Sequence, residues 1–108
     1  MIRGYWILDG ADGRTPKHVD SIEEYAAWFG DDTDRRRVAL DSGNGVRVST
    51  VFLMIDHRFG DGAPLLFETM AFGGEDDSEI DMERTSTWDE AVKAHEDMCR
   101  KHGVKHGG

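Results

Sequence analysis

Long apolar runs are missing from these 108 residues, and cysteine is nearly so, with Cys99 standing alone. No stretch approaches the ~20 consecutive apolar residues of a membrane-spanning helix. Met1 to Trp6 lead straight into a strand-like segment without a leader pattern, so a cytoplasmic protein with no membrane partner is expected. A single cysteine excludes an intramolecular disulfide and any cysteine-rich zinc module, and it suits a reducing compartment. Basic residues are also scarce: 13 Lys and Arg stand against 22 Asp and Glu, for a formal net charge of -9. Generic attraction to nucleic-acid phosphates is therefore not expected. The signatures of serine-hydrolase elbows, P-loops and dinucleotide-binding turns are lacking, and no cofactor is expected. Gly60-Asp61-Gly62 is too short and too acidic to cradle a phosphate and reads as a turn.

What the chain does have is enough apolar bulk for one core. Hydrophobic residues make up 38%, with three Trp, five Phe and two Tyr, and a chain of this length buries about two-thirds of its unfolded surface on folding. A single domain over residues 1–102 is expected, followed by a flexible tail over 103–108.

Tyr5 to Leu8 reads as a strand ending at Asp9-Gly10-Ala11-Asp12-Gly13, a tight-turn composition, and Thr15 to Val19 as its return, with Pro16 best placed at an edge. Asp9 and Asp12 lack the alternating oxygen ligands and distal Glu of a calcium loop. Asp20 and Ser21 offer caps to a helix, with Glu23 and Glu24 at capping-box spacing. Ile22, Tyr25, Ala26 and Phe29, widened by Trp28, form an apolar face expected to cover a sheet, and Gly30 supplies the stop. In the charged connector that follows, Arg35, Arg36 and Arg37 either meet an anion or are neutralised by Asp31, Asp32 and Asp34; local neutralisation is favoured.

Val38 to Leu40 begins a strand that turns at Asp41-Ser42-Gly43-Asn44-Gly45 into a longer one, Val46 to Ile55, whose second half is apolar on both faces and therefore central. Leu65 to Phe72 is the next strand, and Ile80 and Met82 alternate with acids through an acidic edge strand. Thr87 and Glu90 form a capping box for the last helix, whose stripe is Trp88, Ala91, Val92, His95, Met98, Cys99 and His102. The order of elements implies a two-layer α+β domain: an antiparallel sheet of about four to six strands, with two amphipathic helices packed on one face.

Three segments also carry a family resemblance. Y-W-I-L-D-G near the start, R-V-S-T-V-F-L-M-I-D-H-R-F-G-D-G-A-P-L-L-F-E-T-M-A-F-G-G in the middle and S-T-W-D-E-A-V-K-A-H near the end resemble recurring segments of a group of small, uncharacterised proteins of tailed phages and prophages. The resemblance implies a biological setting, the bacterial host cell, and no particular chemistry.

Three constellations are candidate sites. Asp56, His57 and Glu68 offer an acid, an imidazole and a partly buried carboxylate of the kind general acid–base catalysis uses; alternatively, Glu68 pairs with Arg47 across the sheet or projects from an exposed face. His95, Cys99 and His102, at i, i+4 and i+7, can converge on one metal ion, or simply belong to the packed stripe of the helix. Glu75, Asp76, Asp77, Glu79, Asp81 and Glu83 form an acidic block that either engages a basic partner protein or only solvates an edge. The expected function is that of a non-catalytic phage or prophage accessory protein. It would bind a host or phage protein, possible targets including a basic nucleic-acid-binding protein in a counter-defence role, without contacting nucleic acid itself. A small enzyme or metal-binding domain is the alternative, and a homodimer through an uncovered sheet face is compatible with either.

Overall fold

The computed structural model describes residues 5–29, 36–56 and 62–105. Among them, six strands and two helices form a small α+β domain. Strands β1 (Tyr5–Asp9) and β2 (Thr15–Val19) pair antiparallel from Tyr5 opposite Val19 to Asp9 opposite Thr15. Their loop turns through Gly10 and Gly13, at φ of 89° and 69°, while Asp12 accepts the Arg14 amide at 2.9 Å. In this two-stranded sheet Pro16 lies opposite Leu8 on a strand with a free side, as its missing donor requires.

Helix α1 (Ile22–Phe29) follows, with the Ser21 hydroxyl accepting the Glu24 amide at 3.2 Å and donating to Glu23 at 2.8 Å. It packs on the β1–β2 hairpin, not across the larger sheet. The expected apolar face needs correcting: Ile22 and Ala26 are exposed, and the inward side carries Tyr25 and Trp28. Tyr25 stacks on Tyr5 at 4.6 Å and its hydroxyl meets the Met54 sulfur at 3.3 Å, so aromatic contact outweighs the nominal stripe in orienting this short helix.

Strands β3 (Arg37–Gly43), β4 (Val46–Phe52), β5 (Phe67–Gly73) and β6 (Ser78–Thr85) form a second antiparallel sheet in chain order. The β3–β4 turn is narrower than expected. Asn44 and Gly45 alone take positive φ, 54° and 74°, the pattern of a two-residue hairpin turn, so Asp41, Ser42 and Gly43 stay in the ladder. Strand β4 stops at Phe52, short of the expected Ile55. Beyond it Met54 turns to φ 70° and its carbonyl accepts the Trp6 amide at 2.8 Å, tying the two sheets together.

Helix α2 (Trp88–Lys101) lies across the four-stranded sheet. Its capping box forms as expected: Thr87 accepts the Glu90 amide, and Glu90 reaches back to the Thr87 amide, both at 3.1 Å. At the other end Gly103, at φ 70°, lets the Val104 amide reach the Cys99 carbonyl at 2.8 Å, a wrapped termination that only a left-handed residue permits. Val104 is buried in the core, so the expected loose tail does not begin at 103; residues 106–108 lie outside the described region.

Period-two alternation sends Val48, Thr50 and Phe52 of β4, and Phe67, Thr69 and Ala71 of β5, toward α2, where all six are buried. The apolar members fall into two clusters. One joins Phe52, Phe67, Leu66, Met54, Leu8 and Ala91 with the rings of Trp28 and Trp88; the other joins Val48, Ala71, Met98, Cys99 and Val104. Between them on each element sits one polar residue: Thr50 on β4, Thr69 on β5 and His95 on α2. The core is thus crossed by a polar layer.

Candidate functional site: the buried Asp41, His95 and Thr50 relay

His95 is fully buried, and both ring nitrogens are satisfied. Nε2 lies 2.7 Å from Asp41 Oδ2, Nδ1 lies 2.8 Å from Thr50 Oγ1, and Thr50 Oγ1 lies 2.8 Å from Thr69 Oγ1. The fold explains why these groups meet. Thr50 and Thr69 are directly opposite in the β4–β5 ladder, Asp41 is directly opposite Val48 on the same face, and α2 lays His95 over them. A carboxylate beside Nε2 requires a hydrogen there, so Nε2–H donates to Asp41, and in the neutral ring the Nδ1 lone pair accepts from Thr50. Thr69 then donates to Thr50, and every member of the chain has a partner.

Hydroxyl, imidazole and carboxylate in series is the arrangement that activates a nucleophile. Here the Thr50 hydroxyl is fully buried beneath α2, so it does not meet a substrate in this conformation. Cys99 lies one helical turn after His95 and is also buried. Burial, then the Asp41 and Glu96 charges, push its thiol pKa up. Ligand atoms of Asp41, His95 and Cys99 all lie within 4.8 Å of one another.

The sequence-predicted constellations rearrange accordingly. His102 does not join His95 and Cys99; its Nε2 donates to Asp81 at 2.9 Å, and Asp41 takes the third place instead. Glu68 pairs with Arg84, its direct neighbour on β6, at 3.0 Å, and Arg47 turns instead to Asp77 at 2.8 Å. Asp56 accepts the Leu65 amide at 2.9 Å, while His57, Arg58, Gly60 and Asp61 lie outside the described residues, as do Gly30 and Arg35. Arg36 lends its carbonyl to the Phe52 amide at 2.7 Å, and Arg37 opens β3.

The acidic block divides in two. Glu75, Asp76, Glu79 and Glu83 are exposed along the β5–β6 turn and the β6 edge. Asp77 is held by Arg47, and Asp81 receives Lys101 at 2.7 Å as well as His102. The Lys101 ammonium, then the His102 ring, hold the Asp81 carboxyl down at about 2. Its folded value lies below the unfolded ~3.9, so its stabilisation is complete above about pH 4 and is lost as the pH falls toward 2. Urea unfolding of wild type and Asp81→Asn should therefore differ most at neutral pH and converge between pH 4 and 2, with the gap reduced by salt because Lys101 is largely exposed. A gap independent of pH would assign the effect to packing instead.

Asp41, Thr50 and Thr69 are the site residues that the sequence did not reveal: Asp-Ser-Gly-Asn-Gly is turn composition throughout, and the two threonines read as ordinary strand residues. One signal was present: counting back from a two-residue Asn44-Gly45 turn places Asp41 on the same side as Val48. Compared with known proteins, the chain matches no family model, no curated protein and no solved structure.

Proposed function

We propose that this chain is a phage- or prophage-encoded accessory protein that works in the bacterial host by binding another protein, without catalysis. The observation that carries the reading is the makeup of the β6 edge. Ile80 and Met82 are 49% and 41% exposed there, set among the exposed acids Glu79 and Glu83, with Glu75 and Asp76 on the adjoining turn. A strand edge guarded only against self-pairing is served by charge alone. Two large apolar side chains among carboxylates instead suit a partner with a basic, amphipathic surface, such as the nucleic-acid groove of a host protein in a counter-defence setting. The phage-like segments support the setting, and the net charge of -9 supports a basic partner.

A second reading has its own observation. On the sheet face away from α2, Leu40 and Met82 are exposed and Met70 is partly buried, a row broken by Ser49 between Leu40 and Met70, which a second copy of the chain can cover.

The test is capture from host lysate with wild type and a Glu75→Lys, Glu79→Lys, Glu83→Lys variant, read by mass spectrometry. These three acids are chosen because Asp77 and Asp81 are engaged within the fold. The expected result is a specific basic partner that the variant loses. A partner kept by both proteins would refute the acidic edge as the interface, and sedimentation of Leu40→Glu beside wild type would then decide for or against the homodimer.

A further inference from the structure

The geometry points to a binding site for a divalent transition metal of the zinc class, made by Asp41, His95 and Cys99 beneath α2. The site is separate from the β6 edge and does not depend on the interaction reading. Carboxylate, imidazole and thiolate together are a donor set for borderline-soft cations rather than for calcium or magnesium. His95 and Cys99 are four residues apart on one helix, and Asp41 comes from the strand beneath, so two rigid elements hold all three.

The separations suit the purpose. Bond lengths of 2.0–2.3 Å in a tetrahedral zinc site place its ligand atoms roughly 3.3–3.7 Å apart. The three ligand atoms here fall within 4.8 Å of each other, with the His95–Asp41 pair at 2.7 Å. Reaching those spacings takes adjustments of at most about 1 Å, outward for the His95–Asp41 pair and inward for any wider pair. A cavity of about 360 Å³ lined by Glu96, Cys99, Arg100 and Val104 borders the site on its Cys99 side.

The hydroxyls behind the imidazole complete the argument. A metal on Nε2 requires the ring hydrogen on Nδ1, and a metal-bound histidine needs an acceptor for it. Thr50 Oγ1 is already 2.8 Å from Nδ1, and either hydroxyl of the Thr50–Thr69 pair can be the donor. Rotating these hydroxyls reverses the chain without moving a heavy atom. The imidazole stays neutral, its hydrogen passing from Nε2 to Nδ1 in net terms, and the single proton released to solvent comes from the Cys99 thiol. The ion's two charges are then matched by one carboxylate and one thiolate, so no net charge is buried.

Cobalt(II) is the probe. Chelator-stripped wild type titrated with Co2+ should bind one equivalent, with a near-ultraviolet thiolate-to-metal charge-transfer band and the intense visible bands of four-coordinate cobalt, both bleached by Zn2+. Cys99 is the sole thiol of the chain, so the charge-transfer band identifies its own ligand. Cys99→Ser should abolish that band, Asp41→Asn should weaken binding at least tenfold, and His102→Ala should leave both band and affinity unchanged. No binding by folded wild type, or binding without the charge-transfer band, overturns the proposal, as does loss of binding in His102→Ala. The wild-type titration alone is decisive if a variant fails to fold.

Discussion

Phe52→Ala should lower the unfolding free energy by about 3–5 kcal/mol and the melting temperature by on the order of 15–25 °C. Phe52 is fully buried where the two halves of the fold meet. Its ring lies edge-on to Trp28 of α1 at 5.8 Å and tilted on Phe67 of β5 at 5.4 Å, and Phe67 in turn meets Trp88 of α2 at 6.3 Å. Truncation therefore opens a cavity bordered by the rings of Trp28 and Phe67, and Phe67 cannot move to close it without leaving Trp88. Urea unfolding followed by tryptophan fluorescence measures the loss, and Val51→Ala is the control. Val51 is the adjacent residue, directed to the face away from α2 and only partly buried. A Phe52→Ala cost no larger than that of Val51→Ala would mean that the aromatic row is not the junction of the fold.

His95→Leu should cost about 2–4 kcal/mol although leucine fills similar space, because the change removes the imidazole donor to the partly buried Asp41 and the ring partner of the fully buried Thr50. The companion experiment separates polarity from shape. Adding Asp41→Leu, Thr50→Val and Thr69→Val removes the stranded polar groups along with their partner, and a large part of the loss should return, since a complete polar network and a complete apolar one can be close in energy. Chemical denaturation of the single and quadruple variants reads both numbers. If the quadruple variant is no more stable than His95→Leu, the layer stabilises through packing geometry and not through its hydrogen bonds.

Local chemistry was the most legible part of this fold. The Thr87–Glu90 box and the glycines after Asp9 depend on residues close in sequence, and each formed; the β3–β4 turn formed too, narrowed to Asn44-Gly45 within the expected Asp41–Gly45 stretch. The α1 face was misread because an eight-residue helix has little periodicity to offer, and its orientation follows from rings of β1 and from Phe52, which are distant in sequence. The polar layer was half visible. His95 and Cys99 stood out by helical spacing, but Asp41 is separated from His95 by 54 positions, and only the exact length of the Asn44-Gly45 turn distinguishes it as a ladder aspartate. Glu68 shows the same limit: Arg47 and Arg84 lie on the two strands flanking β5, and register decided, because Arg84 is directly opposite Glu68 whereas Arg47 is opposite Phe72.

The position of α2 has a consequence during synthesis. All four strands of the larger sheet leave the ribosome before the helix that covers them, and Val104, which completes the second apolar cluster, leaves later still. A nascent chain ending at Thr85 therefore carries Val48, Phe52, Phe67 and Ala71 on a bare face, with the Thr50 and Thr69 hydroxyls answered only by each other and by water. Closure waits for translation to pass residue 104, and until then the open sheet is the species a chaperone would meet.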